Sequence, residues 1–367
     1  MYYTPNKENN VFQLVVQYGA GEREFPKLGY AAQLMNNAGI MGAYEPQELK
    51  EELSKLNATC HVTADDDNLY IIMEGYEATL PQACQLLSRQ ILMPKLDEKQ
   101  LARLKGSAMG MRQQRKDNVS ILNEALRQYM LYGEKSDYIK ELTDKEIYEL
   151  QISELTGDIN RASNYEAKVF FTGTLPFDQV YDILSKNLPL VANERPSNSP
   201  QAKDMMPVTE NTVYFLPNND AEQAQIHLYI PMQKADKKDD VLRSAFNQYF
   251  GLDFTGIVLN EIREKRSMAY TAYAFVGTQG IAGKASYLRG YIGTQNDKAN
   301  DALDVLMGLV NDMPKNPERI DNIKSYLRQA MLTSHPSFRN KAMELVDLGY
   351  RGYTDDPAKE NLPKVDA

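Results

Sequence analysis

The 367-residue chain contains no tryptophan, two cysteines and three histidines. Cys60 and Cys84 cannot build a disulfide framework, and nothing near either has metal-ligand spacing. His61, His227 and His335 fall in different predicted elements, more than a hundred residues apart. A metal site resting on a histidine pair within one element is therefore excluded, because its ligands must converge at about 2 Å. No apolar run approaches the roughly 20 residues of a membrane-spanning helix. The first residues, Met1-Tyr-Tyr-Thr-Pro-Asn-Lys-Glu8, lack both the basic and the apolar parts of a signal peptide. Basic residues number 41 against 50 acidic, a formal charge of −9. The run Lys234–Lys238 is interrupted by Asp236 and followed by Asp239 and Asp240, so no nucleic-acid footprint is present. A Gly-x-Ser-x-Gly elbow and a P-loop are missing as well. The compartment stays open.

What remains is ordinary globular composition, 43% apolar and 25% charged, in a length that suits two domains. Strands are predicted at Val11–Tyr18, Thr59–Thr63, Leu69–Met73, Ala167–Phe171, Val213–Leu216, Gln225–Pro231 and Arg289–Thr294. Helical spacing marks Leu28–Asn37, a helix opened by Pro46, and Leu80–Ile91, Asp97–Gln114, Val119–Tyr132, Ile147–Ile159 and Phe177–Leu184. In the second half it marks Val241–Phe250, Ala299–Val310, Glu318–Leu332 and Phe338–Leu348. Asp65-Asp66-Asp67 reads as a solvated hairpin turn, since alternating cation-ligand spacing is absent. Gly251–Gly256 matches no phosphate fingerprint and reads as a tight entry to a helix. Both ends are expected to be cut, with an edge of the second sheet missing.

The two halves repeat. Leu49, Glu51, Lys55 and Ala64 recur in order and spacing at Leu259, Glu261, Lys265 and Ala274. Met93-Pro94-Lys95-x-x-Glu98 recurs as Met313-Pro314-Lys315-x-x-Glu318, the longer interval being taken up by a glycine-rich excursion through Gly277, Gly280 and Gly283. Pro, Asn, Ser and Ala crowd the stretch Leu188–Pro207 without apolar period, as a linker would. The domains expected are 1–190, a linker 191–207, and 208–367, the last truncated at its C-terminus. Hairpins followed by runs of helices predict an α+β fold of two homologous domains. Each is a mainly antiparallel sheet with helices packed on one face.

Between Leu259 and Phe275 the apolar period changes from helical to alternating at Ser267. Arg263 thus leaves the end of a helix and Tyr270 the strand that follows it. A permanent cation and a phenol held by two rigid elements could converge on one carbonyl or oxyanion. By spacing alone the plainer reading is favoured, a helix-end charge and a residue filling a sheet face.

The words themselves add more. Ile262-Arg-Glu-Lys-Arg-Ser-Met-Ala-Tyr270 resembles the Leu-Arg-Glu-x-x-x-Leu-Ala/Gly-Tyr signature in the second half of the insulinase/pitrilysin family of zinc metallopeptidases. The resemblance runs over nearly the whole chain and points to that family's C-terminal, zinc-free half. It implies the metallopeptidase, mitochondrial processing peptidase-like fold, whose homologous domains pair into a half-shell. It also implies that Arg263 and Tyr270 lie near the substrate backbone. The family's His-x-x-Glu-His is missing here. Its place in the repeat corresponds to Gly29-Tyr-Ala-Ala-Gln-Leu-Met35, which has neither histidine nor acid. The first repeat carries Leu53 and Cys60 where the second carries Arg263 and Tyr270.

The expectation is therefore an accessory half that closes a substrate chamber and is inactive alone. No cofactor is expected in this chain. Zinc and base would come from a zinc-bearing N-terminal half, in cis or in trans, and the substrate would be a peptide. The alternative is a non-catalytic scaffold or processing-complex subunit that keeps the fold for protein or peptide binding.

Overall fold

The computed structural model describes residues 1–116, 118–188, 195–218, 221–252 and 255–366. The first half opens with β1 (Tyr2–Pro5), β2 (Val11–Tyr18), α1 (Leu28–Met35), β3 (Gly39–Ile40), α2 (Pro46–Lys55), β4 (Thr59–Ala64) and β5 (Leu69–Tyr76). It goes on with α3 (Leu80–Leu92), β6 (Pro94–Lys95), α4 (Glu98–Lys116), α5 (Val119–Tyr132), α6 (Asp137–Lys140) and α7 (Asp144–Tyr148). Then come α8 (Ile152–Ala162), β7 (Ala167–Gly173) and α9 (Phe177–Asn187). The second half holds β8 (Gln223–Lys234), α10 (Asp240–Phe250), α11 (Ile257–Leu259), β9 (Ala269–Thr278) and β10 (Ala285–Gln295). It closes with α12 (Ala299–Asn311), α13 (Ile320–Thr333), α14 (Lys341–Tyr350) and α15 (Pro357–Asn361).

Two compact units form. Unit 1 gathers Met1–Arg115, Glu141–Gln201 and Pro336–Glu344, and unit 2 gathers Lys116–Lys140, Ala202–His335 and Leu345–Ala367. Each unit thus takes in one segment from the other half of the sequence. The Pro- and Ser-rich stretch is tied down where it is described. Arg195 O accepts the Glu166 N–H at 2.9 Å, and Gly19 O accepts the Asn198 N–H at 2.8 Å, both within unit 1. Beyond it, Leu131 O accepts the Met206 N–H at 2.7 Å within unit 2. Residues 191–194 of the expected linker lie outside the described residues.

In unit 1 the sheet order is β1-β7-β2-β5-β4. Antiparallel pairing joins β2 to both β7 and β5, and β5 to β4, while β1 runs parallel to β7. β2 is a central strand, and its residues Leu14–Tyr18 are buried on both faces. β5 alternates, sending Leu69, Ile71 and Met73 inward. Against that face pack Leu28, Ala31, Leu34 and Met35 of α1 and Leu49 and Leu53 of α2. α2 starts where it does because Pro46 suits the first turn and Glu45 and Glu48 form a capping box.

Unit 2 has the order β8-β10-β9, antiparallel throughout. This is the order of β2-β5-β4, with helices at matching places in the chain. Ala272, Ala274, Leu288 and Ile292 face one side, and all but Leu288 join the core with Phe250, Leu306 and Leu327 from α10, α12 and α13. The fold class expected from the sequence is the one present.

Several local expectations differ. Val213–Leu216, predicted as a strand, pairs with no strand among the described residues, because a β-prone sequence alone supplies no hydrogen-bonding neighbour. Ile147–Ile159 is two helices, broken after Tyr148, with Thr143 capping the first through a capping box. α14 begins at Lys341, later than Phe338. β1, which has no counterpart among the predicted strands, is held at the sheet edge by β7.

Candidate functional site

The helix entering the signature is not α-helical to its end. After α11, residues Asn260–Glu264 form a π turn, in which the Lys265 N–H reaches Asn260 O at 2.9 Å. A π turn widens the helix locally and turns side chains away from their α-helical positions, a feature frequent at functional sites. Ile262 is fully buried on its inner side, so Arg263 is left facing outward with a side chain 39% exposed. Ser267 then takes a left-handed backbone (φ 50°), and the Met268 N–H bonds Ile262 O at 3.0 Å. Lys298 Nζ donates to Ser267 O at 3.2 Å, and Thr294 Oγ1 donates to Met268 O. These bonds fix the reversal from helix to strand, and β9 follows at once.

The result brings together the two residues singled out by the sequence. The Arg263 guanidinium lies 5.6 Å from the centre of the Tyr270 ring. Its Nε also lies 3.3 Å from Glu264 Oε1. Tyr270 is 77% exposed, so the pair is a surface feature that contributes about 1 kcal/mol or less to stability. Both residues line one cleft with Gln223, Ser267, Ala269, Gln295 and Lys298. A guanidinium, an ammonium and a phenol at one cleft are hydrogen-bond donors suited to a carbonyl or carboxylate. Among these, Lys298 was not foreseen; its only sequence signal is its place just before a helix.

At the positions that the sequence repeat aligns with Arg263 and Tyr270, unit 1 holds neither a guanidinium nor a phenol. Leu53 is buried in the core, and burial pushes the thiols of Cys60 and Cys84 up to about 12, far from a reactive thiolate. His61 and His335 are exposed. His227 is enclosed between β8 and α5, where its Nε2–H donates to Asn123 Oδ1 at 2.7 Å while Nδ1 has no partner. Burial first, then the neighbouring cations Arg289 and Arg127, lowers its pKa to about 4. Asp65 closes its hairpin by accepting the N–H groups of Asp67 and Asn68, and Arg23 pairs with Asp66 and Asp67. Gly251–Gly256 is described only in part, since residues 253–254 lie outside. Among the described residues no three His, Cys, Asp or Glu side chains group as a metal site, and α1 offers no ligand at all. The donor set does not fit a catalytic zinc.

The sequence reading missed a paired device at the sheet edges. Asn36, at the end of α1, accepts the Val62 N–H at 2.7 Å and donates to Val62 O at 2.8 Å. Asn247 of α10 does the same to Val276, at 2.7 and 3.0 Å. Each side chain thus occupies both backbone groups of one edge-strand residue.

The two-unit fold is shared with several solved structures. A conserved protein from Enterococcus faecalis V583 is similar over 100% of this chain and 90% of its own, at 16% identity and a TM-score of 0.75. The peptidase M16 inactive domain from Pseudomonas fluorescens is similar over 99% of this chain and 88% of its own, at 17% identity and a TM-score of 0.72. The periplasmic protease PqqL from Escherichia coli is similar over 98% of this chain but only 40% of its own, at 14% identity and a TM-score of 0.74. At such identities the likeness is one of fold. No curated protein matches the chain in sequence.

Part of the chain is recognised by sequence. Residues 163–327 match the peptidase M16 inactive domain, which is the C-terminal, zinc-free type of domain of the insulinase/pitrilysin family. An inactive domain of this family implies a partner domain.

Proposed function

We propose that this chain is the accessory half of a zinc-dependent metalloendopeptidase. It closes the substrate chamber and contacts the peptide backbone, while zinc and base belong to an N-terminal half, in cis or in trans. The observation that carries this reading is the Arg263–Tyr270 pair, exposed on one cleft and set there by a π turn and a left-handed serine. Arg263 neutralises charge that develops on the substrate carbonyl, and Tyr270 donates a hydrogen bond to it or to the adjacent backbone. Neither side chain is needed for packing, so a structural explanation for the pair is weak.

The reading includes a duplication, with Asn57 and Ser267 as counterparts. They are the non-glycine residues with positive φ among those described, both at 50°, and each joins a helix to the edge strand of its sheet. Only the second copy keeps an arginine and a tyrosine, so only it contributes to the reaction.

The test is kinetic. In the complex with the zinc-bearing half, Arg263→Ala and Tyr270→Phe should each lower turnover by about two to three orders of magnitude. Melting temperatures of the same variants should stay near the parent's. Unchanged turnover with intact assembly would leave both residues structural and favour the scaffold reading.

A further inference from the structure

The cleft that holds Arg263 and Tyr270 carries more positive charge than that pair explains. Its volume is about 430 Å³, within the roughly 300–1,000 Å³ usual for small-ligand sites. Arg263 and Lys298 line it, and Glu264 is the one carboxylate among its described lining residues. That carboxylate is already engaged, since Glu264 Oε1 lies 3.3 Å from Arg263 Nε. Just outside the cleft, Lys265 and Arg266 share Glu261. Lys298 is different. It is partly buried, yet among the described residues no carboxylate pairs with its ammonium. This occurs in a chain whose acidic residues outnumber its basic ones, 50 to 41.

What holds Lys298 is backbone. Its Nζ donates to Ser267 O at 3.2 Å, and the Ser267 N–H donates to Arg263 O at 2.8 Å. The ammonium is thus fixed over the left-handed serine that separates Arg263 from Tyr270. One of its three N–H groups is used there, and two remain for a further acceptor. A carbonyl carries no charge, so the ammonium stays uncompensated. A charge held partly out of water loses solvation, and an incoming anion offsets that loss. Gln223 and Gln295 are register partners at the ends of β8 and β10, and both are exposed. Their side-chain amides donate and accept, which complements the amide groups of a peptide.

We propose that Lys298 makes this cleft selective for a carboxylate, borne by an acidic side chain or by the free C-terminus of a peptide. Lys298 takes the carboxylate with its two remaining N–H groups, and Arg263 and Tyr270 stay available for the carbonyl beside it. Lys298 is therefore a specificity residue and takes no part in the chemistry. Because the cleft is open to solvent, the attraction weakens as salt is added. The selectivity rests on the charge of the cleft; that the carboxylate belongs to a peptide presented for cleavage rests on the function proposed above.

Titration of the full chain at low ionic strength tests this, with three penta-alanine peptides carrying an uncharged N-terminal fluorophore. One ends in a carboxamide, and one ends in a free carboxylate. The last ends in a carboxamide and has glutamate as its third residue. At least one acidic form should bind about tenfold more tightly than the neutral form, the scale of one charge-assisted hydrogen bond. The form that gains identifies the source of the carboxylate. Lys298→Gln, whose amide can still donate to Ser267 O, should lose the gain, and Lys298→Arg should keep it. Equal affinity of the chain for all three peptides, or no measurable binding of any, would overturn the proposal. So would a gain that survives in Lys298→Gln, including one preserved by equal weakening of all three. Turnover of the Arg263 and Tyr270 variants is measured separately, so failure here leaves their roles standing, and failure there leaves the carboxylate preference standing.

Discussion

His227 is where the fold partly withdraws an imidazole from water, beside two cations, Arg289 and Arg127, that outweigh the opposing carboxylate of Glu124. Its folded pKa is about 4, below the ordinary 6.5. Between those values the unfolded chain binds a proton that the folded chain refuses. The stability His227 contributes is complete above about pH 6.5 and is lost as pH falls toward about 4. Urea unfolding from about pH 7 down to about pH 4.5 should therefore show a fall that is shallower in His227→Gln, whose amide can still donate to Asn123. Identical pH profiles for the two proteins would contradict this. None of it is legible in sequence, where His227 is one residue of an alternating strand. What encloses it is Asn123, distant in sequence and carried on α5. Arg263 and Tyr270 can be read, because the change of period at Ser267 marks helix and strand on either side of them. The π turn and the left-handed Ser267 cannot, since no glycine or proline signals either.

Among the elements, the edge strands β4 and β9 are each clipped by one asparagine. Each buried backbone group left without a partner costs about 1–3 kcal/mol. Val62 is only 5% exposed, whereas Val276 is more open to water, which can replace the lost bonds. Asn36→Ala should therefore destabilise unit 1 more than Asn247→Ala destabilises unit 2. Denaturant unfolding compares the two, and a larger loss for Asn247→Ala would reverse the argument. These clips escape sequence reading because partner and strand stand far apart along the chain, and asparagine near a helix end has several commoner uses. The hairpins and long helices are legible from their periodicity. Val213–Leu216 misleads for a physical reason: its side chains favour a strand, but nothing in the described residues pairs with its backbone.

For the molecule as a whole, the charge of −9 and the scattered histidines speak against nucleic-acid and histidine-pair metal readings at the level of sequence alone. The unit order, in which residues 116–140 join unit 2 and residues 336–344 join unit 1, is not legible there, because helix periodicity does not reveal which core a helix covers. With no grouped ligands among the described residues, the purified chain should hold no stoichiometric zinc. Elemental analysis finding about one tightly held zinc per chain would oppose that expectation. The most direct measurement of the account is peptide cleavage by the zinc-bearing half with and without this chain. Neither part should cleave alone at an appreciable rate, the two together should, and Arg263→Ala with Tyr270→Phe should return the complex toward the level of the zinc half alone. Full cleavage by the zinc-bearing half in the absence of this chain would contradict the account.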